Sequence, residues 1–337
     1  MKRHEITRIV ILGLWVLVLS VFRPADVQTQ PENAQTVTPT VRFTSGNRAL
    51  KIPLEIDNNI ILLRVSVNGS KLLKFIFDTG ASHTVISSQQ AAELGLKTVG
   101  RVRGNATGGP IEGSFIRGVS LSVAGAEVSN QLIGSTPFPT IPGFEFHGVI
   151  GYDFINQFVI EIDYLNQHMN LYDPRSYTYR GKEKPIPLLF DGEGRIPFVQ
   201  MKIVLEGRAP FPAKLELDTG ADGTFIVTSS FVKKHRLLAA MPDAVQDRGV
   251  GVGGEQRRLL GQVKAAHLGR FIFKDPPLAL ELDEGAGAKA KDGVIGGEIF
   301  RRFKVILDYR HRRMILEPNN SFNDPYKLEQ ADLRAAH

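Results

Sequence analysis

The tetrapeptide Asp78-Thr79-Gly80-Ala81 returns later in the chain as Asp218-Thr219-Gly220-Ala221, and each copy ends an apolar, strand-like run. The two contexts read KFIFDTGASHTVIS from Lys74 and KLELDTGADGTFIV from Lys214. A single strand ending on a carboxylate is ordinary, because Asp and Gly are common at strand-to-turn boundaries. A second copy constrains the whole chain. A shift of 140 (218 − 78) superposes the tetrapeptides and aligns Lys74 with Lys214, Thr84 with Thr224 and Ile86 with Ile226. Downstream, GVIGYDFINQFVIEIDYLNQHMNLY from Gly148 aligns with GVIGGEIFRRFKVILDYRHRRMIL from Gly293 at a shift of 145 (293 − 148). Loop variation absorbs the difference between the shifts, and the chain reads as two copies of one unit.

Each unit has the same local grammar. In the first, Ile60–Val67 and Leu72–Phe77 are β-branched and apolar runs joined around Asn68-Gly69, a strong hairpin signal. The tetrapeptide follows, then a short strand and a helix-like segment: SQQAAELGL in the first unit and SSFVKKHRLL in the second. Next comes a glycine-rich segment, Gly104–Gly113 or Gly249–Gly261, and further strands lead to GVIG. The units close on apparent hairpins, Phe158–Asp163 with His168–Tyr172 and Phe303–Asp308 with Arg313–Leu316. The pattern predicts an all-β, bilobal fold of two homologous β-barrel-like lobes related by a pseudo-twofold, with short helices. The expected boundaries are lobes over 48–175 and 184–318, a linker over 176–183 and a polar tail over 319–337.

A chain of 337 residues, 42% of them hydrophobic, can bury two such cores. It has no cysteine, which excludes disulfides, thiolate zinc sites and cysteine nucleophiles. The net charge of +6 is scattered; KKHR at Lys233–Arg236 and RHRR at Arg310–Arg313 lack interleaved aromatics, and no nucleic-acid partner is expected. Lys2, Arg3 and Arg8 precede an uncharged run of 14 residues, Ile9–Phe22. That is shorter than the roughly 20 residues of a comfortable membrane span and reads as a signal peptide or signal anchor over 1–25. A mobile spacer over 26–47 follows, rich in Pro, Gln, Thr and Asn. The remainder is expected to be extracytoplasmic: periplasmic, secreted or membrane-anchored.

Two symmetric lobes bring equivalent residues together near their axis, as in a symmetric dimer. Asp78 and Asp218 would then lie side by side. Like charges in contact cannot both ionise cheaply, so one pKa rises and the pair shares a proton. An ionised acid can take a proton from a water while its protonated neighbour donates to a carbonyl oxygen. Gly80 and Gly220 let backbone N–H groups approach the carboxylates. The glycine-rich hairpins, with Gly108, Gly109, Gly253 and Gly254 as candidate tips, would form flaps over the cleft.

LDTGADGT is very similar to the active-site signature of retroviral proteases, and GVIG sits where that family has its hydrophobic-hydrophobic-Gly motif. The chain resembles the pepsin/retropepsin superfamily of aspartic proteases, as a bacterial retropepsin-like domain in two tandem copies, over most of residues 50–318. The resemblance implies an aspartic endopeptidase with Asp78 and Asp218 catalytic. Thr79, Gly80, Ala81, Ser82, Thr219, Gly220 and Ala221 would support them, and Thr79 and Thr219 would interlock across the axis. It implies a peptide or protein substrate, no cofactor and a monomer forming an intramolecular pseudo-dimer. Neither glycine-rich segment carries the tyrosine usual in pepsin-like flaps, and alanine replaces Ser or Thr after each Asp-Thr-Gly. The missing hydroxyls imply a pH optimum nearer neutral than pepsin's.

Two rivals keep the same paired acids: a non-catalytic peptide-binding protein, and a glycosidase, whose carboxyl groups stand roughly 5–9 Å apart. Other chemistries lack support. GVGVGG at Gly249–Gly254 satisfies a dinucleotide pattern without a preceding strand, the eight histidines form no metal-type pair, and no G-x-S-x-G occurs. His83 beside the first tetrapeptide has Gly223 as its counterpart and reads as structural or solvent-facing. Asp163-Tyr164 and Asp308-Tyr309 read as hairpin structure.

Overall fold

The structure, a computed structural model, describes residues 16–17, 20–23, 38–190, 192–283 and 291–326. Most of the expected leader and most of the spacer lie outside the described residues, as do 327–337 of the tail. Among the described residues, no helix is long and apolar enough to cross a membrane.

The first lobe opens with β1 (Arg48–Asp57), β2 (Ile60–Val67) and β3 (Leu73–Phe77), an antiparallel meander. Both of its turns take asparagine or glycine at positive φ: Asn58 and Asn59 in one, Asn68 and Gly69 in the other. This is the backbone twist that two-residue hairpins need. β4 (Val85–Ser87) leads into α1 (Ser88–Glu93), where the Ser87 hydroxyl caps the helix by accepting from Gln90 N. A long hairpin follows, β5 (Thr98–Ala106) with β6 (Gly109–Val123), then β7 (Ala126–Thr136) and β8 (Gly148–Ile150). β9 (Val159–Asp163) and β10 (His168–Tyr172) close the lobe.

The second lobe runs in the same order. It has β11 (Pro197–Val204), β12 (Phe211–Leu217), β13 (Phe225–Val227), α2 (Ser229–His235, capped by the Thr228 hydroxyl), β14 (Val245–Gly251) and β15 (Gly254–Gln262). After a small hairpin, Ala265–Leu268 with Phe271–Lys274, come β16 (Pro277–Glu281), β17 (Gly293–Ile295), β18 (Phe303–Asp308) and β19 (Arg313–Pro318). Residues 319–326 fold back onto this lobe, where the buried Arg302 guanidinium donates to the carbonyls of Ser321, Phe322 and Asp324.

The expected closing hairpins form and then join. β9 pairs antiparallel with β18, Glu161 opposite Ile306, so both lobes hang from one sheet in the order Ile186–Pro187, β19, β18, β9, β10, β1. A single hydrophobic cluster extends through the lobes, from Phe75 and Phe154 to Leu215, Phe231 and Phe303. With a shared sheet and a shared core, the lobes lock at a fixed angle. The cleft between them therefore has fixed geometry at its floor.

Candidate active site

β3 and β12 each deliver an aspartate. β3 runs parallel to β8, with Phe77 opposite Ile150, while β8 runs antiparallel to β4, so the 78–84 loop is enclosed by its own lobe. Asp78 N donates to Ile150 O at 3.0 Å and Tyr152 N to Ala81 O at 2.9 Å. In the second lobe β12 and β17 do the same: Asp218 N donates to Ile295 O at 3.0 Å and Gly297 N to Ala221 O at 2.6 Å. The GVIG glycines are needed for this enclosure. A Cβ on Gly151 would lie 2.4 Å from His83 O, and one on Gly296 the same distance from Gly223 O.

One sequence alignment needs correcting. Val149 pairs with Val85 in the first lobe, whereas Val294 pairs with Ile226 in the second. The counterpart of Ile226 is therefore Val85, not Ile86. The second loop carries one extra residue before its strand, and the shift changes from 140 to 141 (226 − 85) there.

The two loops meet in a reciprocal set of hydrogen bonds. Thr79 Oγ1 donates to Leu217 O at 2.7 Å and accepts from Thr219 N at 3.1 Å. Thr219 Oγ1 donates to Phe77 O at 2.7 Å and accepts from Thr79 N at 3.2 Å. Each buried hydroxyl thus satisfies two backbone groups of the opposite lobe.

Above this grip, both aspartates are fully buried. Asp78 Oδ1 accepts from Gly80 N at 2.7 Å, and Asp218 Oδ1 from Gly220 N at 2.9 Å. The Oδ2 atoms have no donor in either lobe, and the two carboxyl groups are within hydrogen-bond reach of each other. The two acids therefore titrate as a pair. Burial, then the charge of Asp218, pushes Asp78 well above the ordinary carboxylate range. Burial and Glu216 raise Asp218 to about 7, while Lys291, the bond from Asp78 and the Gly220 N–H hold it down. Lys291 and the Gly220 N–H favour the ionised form of Asp218, and the proton taken up belongs to the pair of acids rather than to either one.

The remaining support residues divide by role. Ala81 and Ala221 are buried and act through the carbonyls already described. Ser82 Oγ is 3.1 Å from His83 Nδ1, next in sequence. His83 is buried rather than solvent-facing; burial and the nearby Arg195 lower its pKa to about 4. Tyr309 is buried too, stacked on Tyr152 and met edge-on by Phe190.

The four candidate flap glycines sit at the tips of the β5–β6 and β14–β15 hairpins, and the tips touch. Gly253 N donates to Thr107 O at 2.9 Å. A Cβ on Gly108 would lie 2.2 Å from Gly254 O, and Gly108 and Gly254 have φ of +94° and +121°. Only glycine satisfies both the left-handed backbone and the close approach.

Sequence reasoning missed the charged groups that frame this arrangement. Glu216 lies beside the acids: its Oε1 is 2.8 Å from where a Cβ on Gly80 would stand. Its Oε2 is 2.6 Å from Lys291 Nζ. The signal was present, because the shift of 140 pairs Glu216 with Ile76, putting a charge in an otherwise apolar buried strand. Two cross-lobe clamps were also missed. Asn59 Nδ2 donates to Asp222 O at 2.8 Å and Glu298 Oε2 at 3.0 Å, and Arg195 Nη1 reaches back to Asp153 Oδ1 at 3.5 Å. Asp153 and Glu298 occupy equivalent positions two residues after each GVIG. Among the described residues, no group of His, Asp or Glu is arranged to hold a metal ion.

Residues 63–154 match the family model described as aspartyl protease, a match that covers β3, Asp78, the first flap and GVIG. A comparison with curated protein sequences finds no match. Among solved structures, the fold is similar to the aspartic proteinase from Irpex lacteus, with a TM-score of 0.53 and 14% identity. That alignment covers 83% of this chain and 100% of the other. The chain has the aspartic proteinase fold, and its first lobe matches the sequence pattern of that family.

Proposed function

We propose that the protein is an aspartic endopeptidase, built from two copies of one unit, that hydrolyses peptide bonds through a water activated by Asp78 and Asp218. The observation that supports this reading is a pair of fully buried aspartates, delivered by matching loops that grip each other, whose outer oxygens lack donors. Asp218, ionised, takes a proton from the water as its oxygen attacks the carbonyl carbon; Asp78 gives its proton to the carbonyl oxygen. Asp218 then passes its proton to the amide nitrogen while a hydroxyl of the gem-diol returns one to Asp78, and the C–N bond breaks to give a carboxylic acid and an amine with the dyad restored. No covalent enzyme intermediate is required. The touching flaps would open to admit an extended peptide and close over it, excluding bulk water.

A broad peptide library tests this. Wild type should cut peptides, and Asp78→Asn and Asp218→Asn should each abolish cutting. A wild-type protein that binds peptides in the cleft and cuts none would leave the peptide-binding alternative.

A further inference from the structure

The two walls of the cleft are built alike but carry opposite chemistry. His147 N donates to Lys74 O at 2.8 Å, and Asp292 N donates to Lys214 O at 2.9 Å, so the same backbone bond sets the register of each wall. In that register Ile76 of the first wall stands where Glu216 stands in the second, and Phe146 where Lys291 stands. The first pair belongs to an apolar cluster. Ile76 is buried with Val102, Ile111 and Phe144, and Phe146 stacks on Phe138 with ring centroids 5.0 Å apart. The same cluster includes Ala81 beside the first acid and Val252 from the tip of the opposite flap, so it borders the cleft from floor to roof. The apolar cluster around Ala221 in the second wall is much smaller, comprising Ile226, Ala279 and Val294 with Leu260 against them.

Charge occupies the rest of the second wall. The buried Glu216–Lys291 pair lies beside Asp218. Arg258 and Glu281 are directly opposite each other on β15 and β16, and both are buried. Their counterparts in the first wall are Gly113 and Thr136. Asp222 and Asp247 also act on Arg258. The carboxyl groups Asp218, Glu216, Glu281, Asp222 and Asp247 outnumber the cations Lys291 and Arg258. Burial raises Asp218, Glu281 and Asp247 above the ordinary carboxylate range, and a cation placed among them would favour their ionised forms. The charged wall stands directly beside the dyad loop, with Glu216 Oε1 2.8 Å from where a Cβ on Gly80 would stand.

Resting on the endopeptidase reading, we propose that Glu216 and Lys291 are specificity-determining residues and that the two sides of the scissile bond are recognised differently. A large apolar side chain packs on the Ile76–Phe146 wall, and a lysine or arginine side chain enters the Glu216–Lys291 wall. The preferred substrate is then a peptide segment in which an aromatic or branched apolar residue adjoins a basic one.

Peptides whose central amide is replaced by an uncleavable hydroxyethylene group test this by calorimetry, because binding is read whether or not the chain is catalytic. The set carries Phe beside Lys in either order, and Phe beside Leu. Wild type should bind the better Phe/Lys compound at least about tenfold more tightly than Phe/Leu. The double variant Glu216→Ile with Lys291→Phe, which copies the first wall into the second, should reverse the order. Glu216→Gln, a nearly isosteric change, should narrow the gap if the double variant does not fold. Equal binding by wild type, or a preference for Phe/Leu, overturns the proposal. Tight Phe/Lys binding without any peptide cleavage supports the proposal and removes the catalytic reading instead. Cleavage confined to bonds between two apolar residues does the reverse.

Discussion

The first lobe surrounds its aspartate with hydrocarbon, and the second surrounds its aspartate with ion pairs. Their frames are nearly interchangeable: each has a parallel strand pair under an Asp-Thr-Gly loop, a glycine-tipped flap and an acid two residues past GVIG. Neither lobe satisfies its own threonine hydroxyl, because each donates to a carbonyl of the other lobe. The comparison separates what the dyad requires from what can vary. The grip, the glycine N–H bonds and the flap contact are the same on both sides, while the walls have diverged. The divergence also gives the two acids different partners, since only Asp218 has a lysine holding its pKa down.

The largest expected effect comes from adding a single methyl group. Gly220→Ala places Cβ 2.7 Å from Asp78 Cγ and should lower kcat/KM at least about a hundredfold, because a misplaced reacting group costs that much. Gly80→Ala meets Glu216 Oε1 at 2.8 Å and Asp218 Cγ at 3.0 Å. Its loss should be comparable but partly recovered by Glu216→Ala, whereas Gly220→Ala should not recover. Kinetics of the three variants would show whether the asymmetry of the walls reaches the floor.

Next come the threonines, for which the lobes should behave identically. Thr79→Val and Thr219→Val each strand buried backbone groups of the opposite lobe, and each should destabilise by about 2–4 kcal/mol in urea titrations. A markedly unequal pair would mean that one lobe is held mainly by the shared sheet.

The pH profile tests the charged wall. On the proposed mechanism the pair must shed one proton and keep one, so kcat/KM should rise with pH through a limb near 7. A peak below about pH 3 would contradict this. Lys291→Met removes the cation favouring ionised Asp218 and should move that limb to higher pH. Stability should change with the opposite sign. The acids' native pKa values exceed their unfolded ones, so the folded state binds more protons there, and stability falls as pH rises through the raised values. Asp78→Asn should accordingly raise the melting temperature at pH 8.

The smallest difference concerns the clamps. Asn59→Ala removes a buried amide with two partners and should cost about 1–3 kcal/mol, and Arg195→Ala, which loses the 3.5 Å pair with Asp153 and a 2.6 Å contact with His83 Nε2, should cost a similar amount.

Much of this architecture was legible in the sequence because duplication doubles every local signal. Asn68-Gly69, the flap glycines and GVIG each declare a backbone conformation, and each holds in the structure. What stayed hidden depends on tertiary distance. Lys291 meets Glu216 across 75 residues, and Asn59 meets Glu298 across 239. The extra residue in the second loop was invisible because Ile86 and Ile226 match by identity, although strand pairing sets Ile226 against Val85's position. The merging of the closing hairpins into one sheet likewise follows from packing, not from any motif.

The most direct measurement is the rate of peptide cleavage by wild type, Asp78→Asn, Asp218→Asn and the double variant on a common substrate selected from the library. Acids that work as one unit should each cost at least about a thousandfold in kcat/KM, with little further loss in the double variant. Either single variant cutting at the wild-type rate would contradict a shared dyad.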